Sequence, residues 1–220
     1  MKKKYELTDE TKIVNERTLH RIRALKDFGS VRAGDLGGWV EKEGNLSQLG
    51  ACWVHENAQV YENAQVCENA QVYGNAQVAE NARVHGSAKV AENARVYGNA
   101  LVFENAWVYG NALVFENAWV CENAWVCENA WVCGNAVITG CMYIQKKRDC
   151  LTVGPVGSRN DFATFAKDKN RNVSVSCGCF YGTLDKFFEK VGKTHGNNLF
   201  AKEYRAAIEL AKIHFCKETK

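Results

Sequence analysis

Residues 57–74 read NAQVYE (57–62), NAQVCE (63–68) and NAQVYG (69–74), and the same six-letter phrase continues without insertion to Gly140. There are 14 such hexads. An aliphatic residue recurs at every sixth position from Val60 to Ile138, and as far as Val132 each is followed four residues later by alanine. A period of six matches neither the 3.6 of an α-helix nor the seven of a coiled coil. It matches a solenoid in which each turn holds three short strands. The pleat of a strand sends alternate side chains to opposite sides, so Ala58 and Val60 point inward while Gln59 and Tyr61 point outward. The Glu/Gly-Asn pair makes the corner, where Asn and Gly tolerate the left-handed backbone that a sharp bend needs. Stacked Asn side chains can bond from coil to coil as amide ladders do. At about 4.8 Å per coil, the hexads rise roughly 22 Å over just under five coils.

The outward positions change along the chain. Early pairs flanking the valine are polar or mixed, such as Gln59/Tyr61, Gln77/Ala79 and Arg83/His85. Later ones are apolar: Leu101/Phe103, Trp107/Tyr109, Leu113/Phe115, then Trp119, Trp125 and Trp131, each followed two residues on by cysteine. Successive hexads fall on successive faces, so all three faces turn apolar near the far end. Soluble monomers rarely expose a contiguous apolar patch above a few hundred Å². The belt therefore calls for a cover: the C-terminal part folding back, a second copy in a homo-oligomer (trimer or dimer), or a foreign partner.

The aliphatic residue followed four later by a small one, over contiguous units, resembles the hexapeptide-repeat left-handed parallel β-helix proteins. Ala24–Phe28, Val31–Gly34, Gly37–Val40 and Leu46–Val54 are similar to the lead-in region of bacterial and prophage members of that class, some of which carry a transferase label by fold analogy. The resemblance covers residues 17–140. It implies a mainly β fold, a left-handed parallel β-helix over 51–140. Residues 1–50 are then strands capping the open end, and 141–220 form a small α+β domain. Acyltransferases of the class use a histidine to deprotonate the acceptor, usually beside an inserted loop at a subunit boundary. His55 and His85 point outward here, but no inserted loop is present, and Arg83 and Lys89 lie near His85 in sequence.

Beyond Gly140, Cys150–Gly154, Asp161–Ala166 and Val173–Cys177 alternate like strands. Thr183 is placed as the N-cap of a helix with Leu184, Phe187, Phe188 and Val191 on one face, and a last helix runs from about Leu199 to Cys216. This ββ(β)αα module is similar to tail modules on phage-type repeat proteins. It holds 15 Lys and Arg against 8 Asp and Glu, whereas residues 57–140 hold 3 against 8. An anionic partner should therefore meet the C-terminal third. The glycine-bounded loop Gly154–Asp161, with Ser158, Arg159 and Asn160, suits a phosphate or carboxylate. It is not a P-loop, because the Gly-Lys-Ser/Thr ending is missing. Cys179 and His195 are the other residues of this module to which chemistry or ligand contact is assigned.

The ten cysteines suggest neither a disulfide framework nor a metal site. Cys121, Cys127 and Cys133 fall on three faces, and Cys67 and Cys121 share one but lie three coils apart, too far for a common zinc. Cys177 and Cys179 form a C-x-C pair, which is not a usual zinc spacing. No cofactor is expected. MKKKYELTDETK is basic but lacks a following apolar stretch, and no run approaches the roughly 18 apolar residues of a membrane span. The expected compartment is the cytoplasm, that of the host if the gene is phage-borne. The leading functional expectation is a non-enzymatic binding or assembly protein, phage- or prophage-associated. It would oligomerise through the belt and present the basic module to an anionic small molecule, a nucleotide or a host protein, as a counter-defence sequestering agent would. The alternatives are an acyltransferase working at trimer clefts, and a nucleic-acid-binding protein using Lys146-Lys147-Arg148 and the C-terminal lysines.

Overall fold

The structure, a computed structural model, describes residues 3–216. The hexads build a parallel β-solenoid of three sheets, each strand pairing with the one 18 residues on, as Gln59–Val60 does with Gln77–Val78. The solenoid makes about six turns, one more than the hexads alone supply. The extra turn comes from irregular sequence: β3 (Leu36–Val40) pairs with Gln59–Val60, Leu46 bridges to Val66, and Trp53–Val54 pairs with Gln71–Val72. Tyr143–Lys146 adds the closing strand of the third face, beside Trp125–Asn129.

Pleat phase fixes the interior. Every hexad alanine from Ala58 to Ala136 and every hexad valine from Val60 to Val132 is buried, and together they form one continuous core. Each buried valine contributes about 1.5 kcal/mol or more relative to exposure, and alanine leaves room for the opposite face.

At the corners the structure corrects the expectation from sequence. The residue with positive φ is the Glu or Gly that precedes each Asn, with φ between 51° (Glu56) and 75° (Gly110); no hexad Asn adopts it. A glutamate in this region costs about 1–2 kcal/mol, and its side chain supplies the compensation. The carboxylate accepts the backbone N–H of the corner residue one coil on: Gly74 to Glu56 at 2.9 Å, Glu80 to Glu62 at 2.7 Å, Gly98 to Glu80 at 3.0 Å, Gly134 to Glu116 at 2.6 Å. The Asn side chains run as expected in ladders, Asn63 donating to Asn81 at 3.2 Å and Asn81 to Asn99 at 3.2 Å. Replacing Glu80 by alanine keeps the strained backbone and loses the bond. Urea titration should then show a loss of about 1 kcal/mol, because the bond is exposed. Glu80→Gly relieves the backbone and should lose less.

The N-terminal hairpin, β1 (Tyr5–Val14) and β2 (Arg17–Ala24), extends the first face by pairing antiparallel with β3. Tyr5 and Ile22 close the top of the core. Lys4 is buried beside them, its ammonium donating to the Cys52 carbonyl at 3.0 Å, and burial lowers its pKa. The hairpin also covers outward residues: Leu19, Trp39, Tyr61 and Ala79 are buried together, with Val14 and Tyr97 packed against them.

Residues 150–215 fold into a four-stranded antiparallel sheet (Cys150–Val156, Asp161–Lys167, Val173–Cys177, Phe180–Thr183) covered by α1 (Leu184–His195) and α2 (Leu199–Phe215). The fourth strand, Phe180–Thr183, was not legible in sequence. Thr183 caps α1, accepting from the Lys186 N–H, and Asn198 caps α2 by accepting from Ala201 at 3.0 Å. Phe187 and Val191 are buried in this module's own core, but Phe188, expected on the same face, is exposed because it lies one step round the helix.

Candidate functional site

The module closes the lower end of the solenoid instead of folding back along the belt. Ala166 enters the solenoid core, and the Thr164 hydroxyl accepts the Val137 N–H at 3.0 Å. The Tyr181 hydroxyl accepts the Cys141 N–H at 2.8 Å. Asp149 is the joint. Its carboxylate takes Arg171 Nη2 at 2.7 Å, Lys167 Nζ at 3.2 Å and the Lys146 N–H at 3.1 Å, with its side chain only 2% exposed. Burial alone would raise its pKa, but the bonds from Arg171, Lys167 and the Gln145 N–H outweigh that and hold it below the usual carboxylate value. Several cations that made the C-terminal third look basic are thus used by the fold. Lys147 and Lys169 sit over the rings of Trp131 and Trp125, and the Lys147–Asp149 stretch is a single 3-10 turn.

The belt is consequently left partly open. Trp107 is 36% exposed, Trp119 46% and Trp131 42%, one on each face. Leu101, Phe103, Tyr109, Leu113, Phe115 and Trp125 are half-buried. They shield one another along the columns: Trp107 stacks on Trp125 at 5.0 Å and 4°, Tyr97 on Phe115 at 5.1 Å and 6°. Of the belt cysteines, Cys127 and Cys121 are buried and Cys133 is exposed. All ten cysteines are free, and among the described residues no group of three or more His, Cys, Asp or Glu side chains is placed to hold a metal.

The first face shows how such a surface is covered. In its outward column Tyr61 and Ala79 are buried under the hairpin, and Tyr97 is half-buried at its edge. The third face repeats the pattern as Tyr73, Ala91, Tyr109, but there Ala91 is only half-buried and the recess of about 400 Å³, bordered by Lys89, Trp107 and Trp125, is open.

The second candidate lies in the C-terminal module. Four of the five residues picked out from sequence, Ser158, Arg159, Cys179 and His195, line one cleft of about 170 Å³. Asn160 does not line it; with φ 52° it closes the hairpin turn, its N–H donating to the Gly157 carbonyl at 3.1 Å. Three packing relations build the cleft. Glu203 on α2 accepts the Gly157 N–H at 2.7 Å, pinning the loop. The Tyr204 ring lies where a side chain at Gly157 would be, so that position must be glycine. Arg159 lies across the turn at Gly178, where an added Cβ would meet its Nη1 at 2.7 Å. Phe180, Phe187 and Tyr204 contribute the apolar lining, and His195 packs against Tyr204 with ring centroids 5.7 Å apart. Burial pushes the pKa values of Cys177 and Tyr204 up. Sequence reading placed Thr194 beside His195 but missed Lys190 and the part Tyr204 plays in the cleft. Lys190 could have been found, since it lies four residues before Thr194 and positions four apart share a helix face.

The two outward histidines of the solenoid each stack on an aromatic ring of the next coil. His85 stacks on Phe103 at 5.1 Å. His55 stacks on Tyr73 at 4.4 Å and its Nε2 lies 2.7 Å from Gln71 Oε1; burial lowers its pKa despite that bond.

Comparison with known proteins addresses the solenoid. The family model described as the YdcK Beta solenoid repeat matches residues 70–87, 94–110 and 106–122. The coils are similar to the YdcK repeat. A stretch of 49 residues, 22% of this chain, is 41% identical to the "Uncharacterized acetyltransferase YdcK" of Escherichia coli (strain K12). The chain spans 15% of that relative's length. The YdcK-like part is thus the coil itself, and the likeness carries the repeat fold. Among the described residues no helix is long and apolar enough to cross a membrane.

Proposed function

We propose that this chain is a binding and assembly protein without catalytic activity, which self-associates through the aromatic belt and presents the C-terminal cleft to an anionic ligand. One observation carries the reading: Trp107, Trp119 and Trp131 stand on three faces of a rigid rod, each more than a third exposed even with Trp125 stacked on Trp107 and Lys147 over Trp131. Aromatic side chains of this kind are the usual anchors of protein interfaces. The resemblance of residues 24–54 to prophage solenoids supports a phage or prophage origin. In that setting the rod would act in the host cytoplasm by sequestering an anionic signal or blocking a host protein. Sedimentation equilibrium of the whole protein tests the core of this proposal. A defined oligomer is expected, and a soluble monomer at all concentrations would defeat it.

Acyl transfer is the second reading, favoured by one feature. His55 is oriented by Gln71, and its burial favours the neutral imidazole that a general base requires. The acetyltransferase label of the YdcK relative agrees with it. Coenzyme A binding by calorimetry, lost in His55→Ala, is the result this reading demands; no heat at millimolar coenzyme A would end it.

A further inference from the structure

We propose that the cleft between the Gly157–Asn160 loop and α1 is a binding site for a phosphomonoester, a small organic molecule ending in a dianionic phosphate. The proposal rests on the anionic-ligand part of the reading above and narrows it to one chemical class.

Charge is the first argument. Arg159 and Lys190 both line the cleft, and among the described residues neither is within 4.0 Å of a carboxylate. The nearby acids are used elsewhere. Glu203 holds the Gly157 N–H, while Asp161 accepts the Phe162 N–H at 2.7 Å and lines a different groove beside Trp119. Two uncompensated cations match a dianion. A carboxylate would leave one of them unmatched, and guanidinium pairs with phosphate oxygens in a fixed two-pronged geometry.

The carbonyl end of α1 would ordinarily repel an anion. Here a cation stands at that end: Arg205 Nη2 donates to the Gly196 carbonyl at 2.8 Å, and the Asn198 N–H donates to the His195 carbonyl at 3.2 Å. Thr194 and His195 add a hydroxyl and a ring nitrogen to the same wall.

The lining and the size complete the case. Phe180, Phe187 and Tyr204 give the carbons next to the phosphate an apolar wall. The cleft, about 170 Å³, is smaller than the roughly 300–1,000 Å³ of a site that encloses a whole drug-sized ligand. It takes the phosphate end and the first carbons and leaves the remainder of the molecule outside. Gly157 and Gly178 hold this shape before any ligand arrives, because both positions are filled by the side chains that build the cleft.

The test uses the full chain and three probes, phenyl phosphate, benzenesulfonate and benzoate, followed by calorimetry and by line broadening in NMR. Phenyl phosphate should bind at least tenfold more tightly than either monoanion. Arg159→Gln and Lys190→Gln should each weaken it tenfold or more with melting temperatures unchanged, since both side chains are exposed. Equal binding of all three probes would overturn the phosphomonoester assignment and leave an anion site standing. No binding of any probe would overturn both. Tight phenyl phosphate binding that ignores both substitutions would remove the site from this cleft.

Discussion

Replacing Trp107, Trp119 and Trp131 together by serine is expected to turn an assembled protein into a soluble, folded monomer. Each indole stands outside the core, with 36%, 46% and 42% of its surface exposed. Covering what remains of such a ring is worth about 2 kcal/mol, and hot-spot residues lose that much or more on truncation. Three together shift a dissociation constant by about four orders of magnitude, at about 1.4 kcal/mol per factor of ten. The fold should survive, because the coil interior is valine and alanine and none of these side chains enters it; the melting temperature falls only by what the lost association and the lost ring contacts contribute. Trp125 is the control. It is half-buried between Trp107 at 5.0 Å, Tyr109 at 5.9 Å, Tyr143 at 5.9 Å and Lys169, so Trp125→Ser should lower stability more than Trp107→Ser, Trp119→Ser or Trp131→Ser does alone. Analytical ultracentrifugation and circular dichroism separate the two effects. A triple variant that keeps the wild-type mass would place the interface elsewhere.

Asp149→Ala is expected to destabilise the junction between solenoid and module by about 2–3 kcal/mol, less than the about 3–5 kcal/mol of a fully buried pair because the Arg171 side chain is 42% exposed. The substitution leaves Arg171 and Lys167 facing each other without a counter-charge and strands the N–H groups of Gln145 and Lys146. Against a typical total stability of about 5–15 kcal/mol, that is enough to loosen the module from the coil. Thermal melting should resolve two transitions in the variant, the module first. A single transition shifted by less than a few degrees would contradict the assignment of Asp149 as the joint. The pH dependence follows from the lowered pKa of this carboxyl. Its contribution is complete above the unfolded value of about 3.9 and is lost as pH falls through the lower folded value. Wild type and variant should therefore differ by a constant amount at neutral pH and converge only in strong acid.

The hexads made the solenoid legible because a two-sided pleat allows only one set of residues inside. Once Val60 and Ala58 are assigned inward, the outward identity of Trp107, Trp119 and Trp131 follows, and the structure agrees. The lead-in turn was harder to see. Leu36–Val54 forms a coil with no hexad pattern, since Gly37 and Gly38 are squeezed against Trp53, Val54 and the Ala58 carbonyl, and Glu43–Asn45 makes a 3-10 turn at a corner. At the corners, general propensity pointed to Asn for the left-handed backbone. Glutamate takes it instead, because its carboxylate reaches the next coil's N–H, a partner 18 residues away that no local rule contains.

The cleft was half legible. Arg159, Cys179 and His195 were singled out as residue types able to bind or react, but three separate segments carry them, and nothing local says that they meet. Gly157 and Gly178 marked turns, yet the reason each must be glycine is a Tyr204 ring or an Arg159 side chain arriving from elsewhere.

By itself the sequence determined the repeat, the core composition and the identity of the side chains left outside, because all three follow from periodicity along one strand. Only the tertiary structure decided which of those outward surfaces are sealed. The hairpin buries Ala79 on the first face, whereas among the described residues no hairpin lies over Ala91 on the third and it stays half-buried, although the two hexads read alike. The physical reason is that burial of an outward residue depends on what another segment lays over it, and that is a long-range packing choice absent from any six-residue phrase.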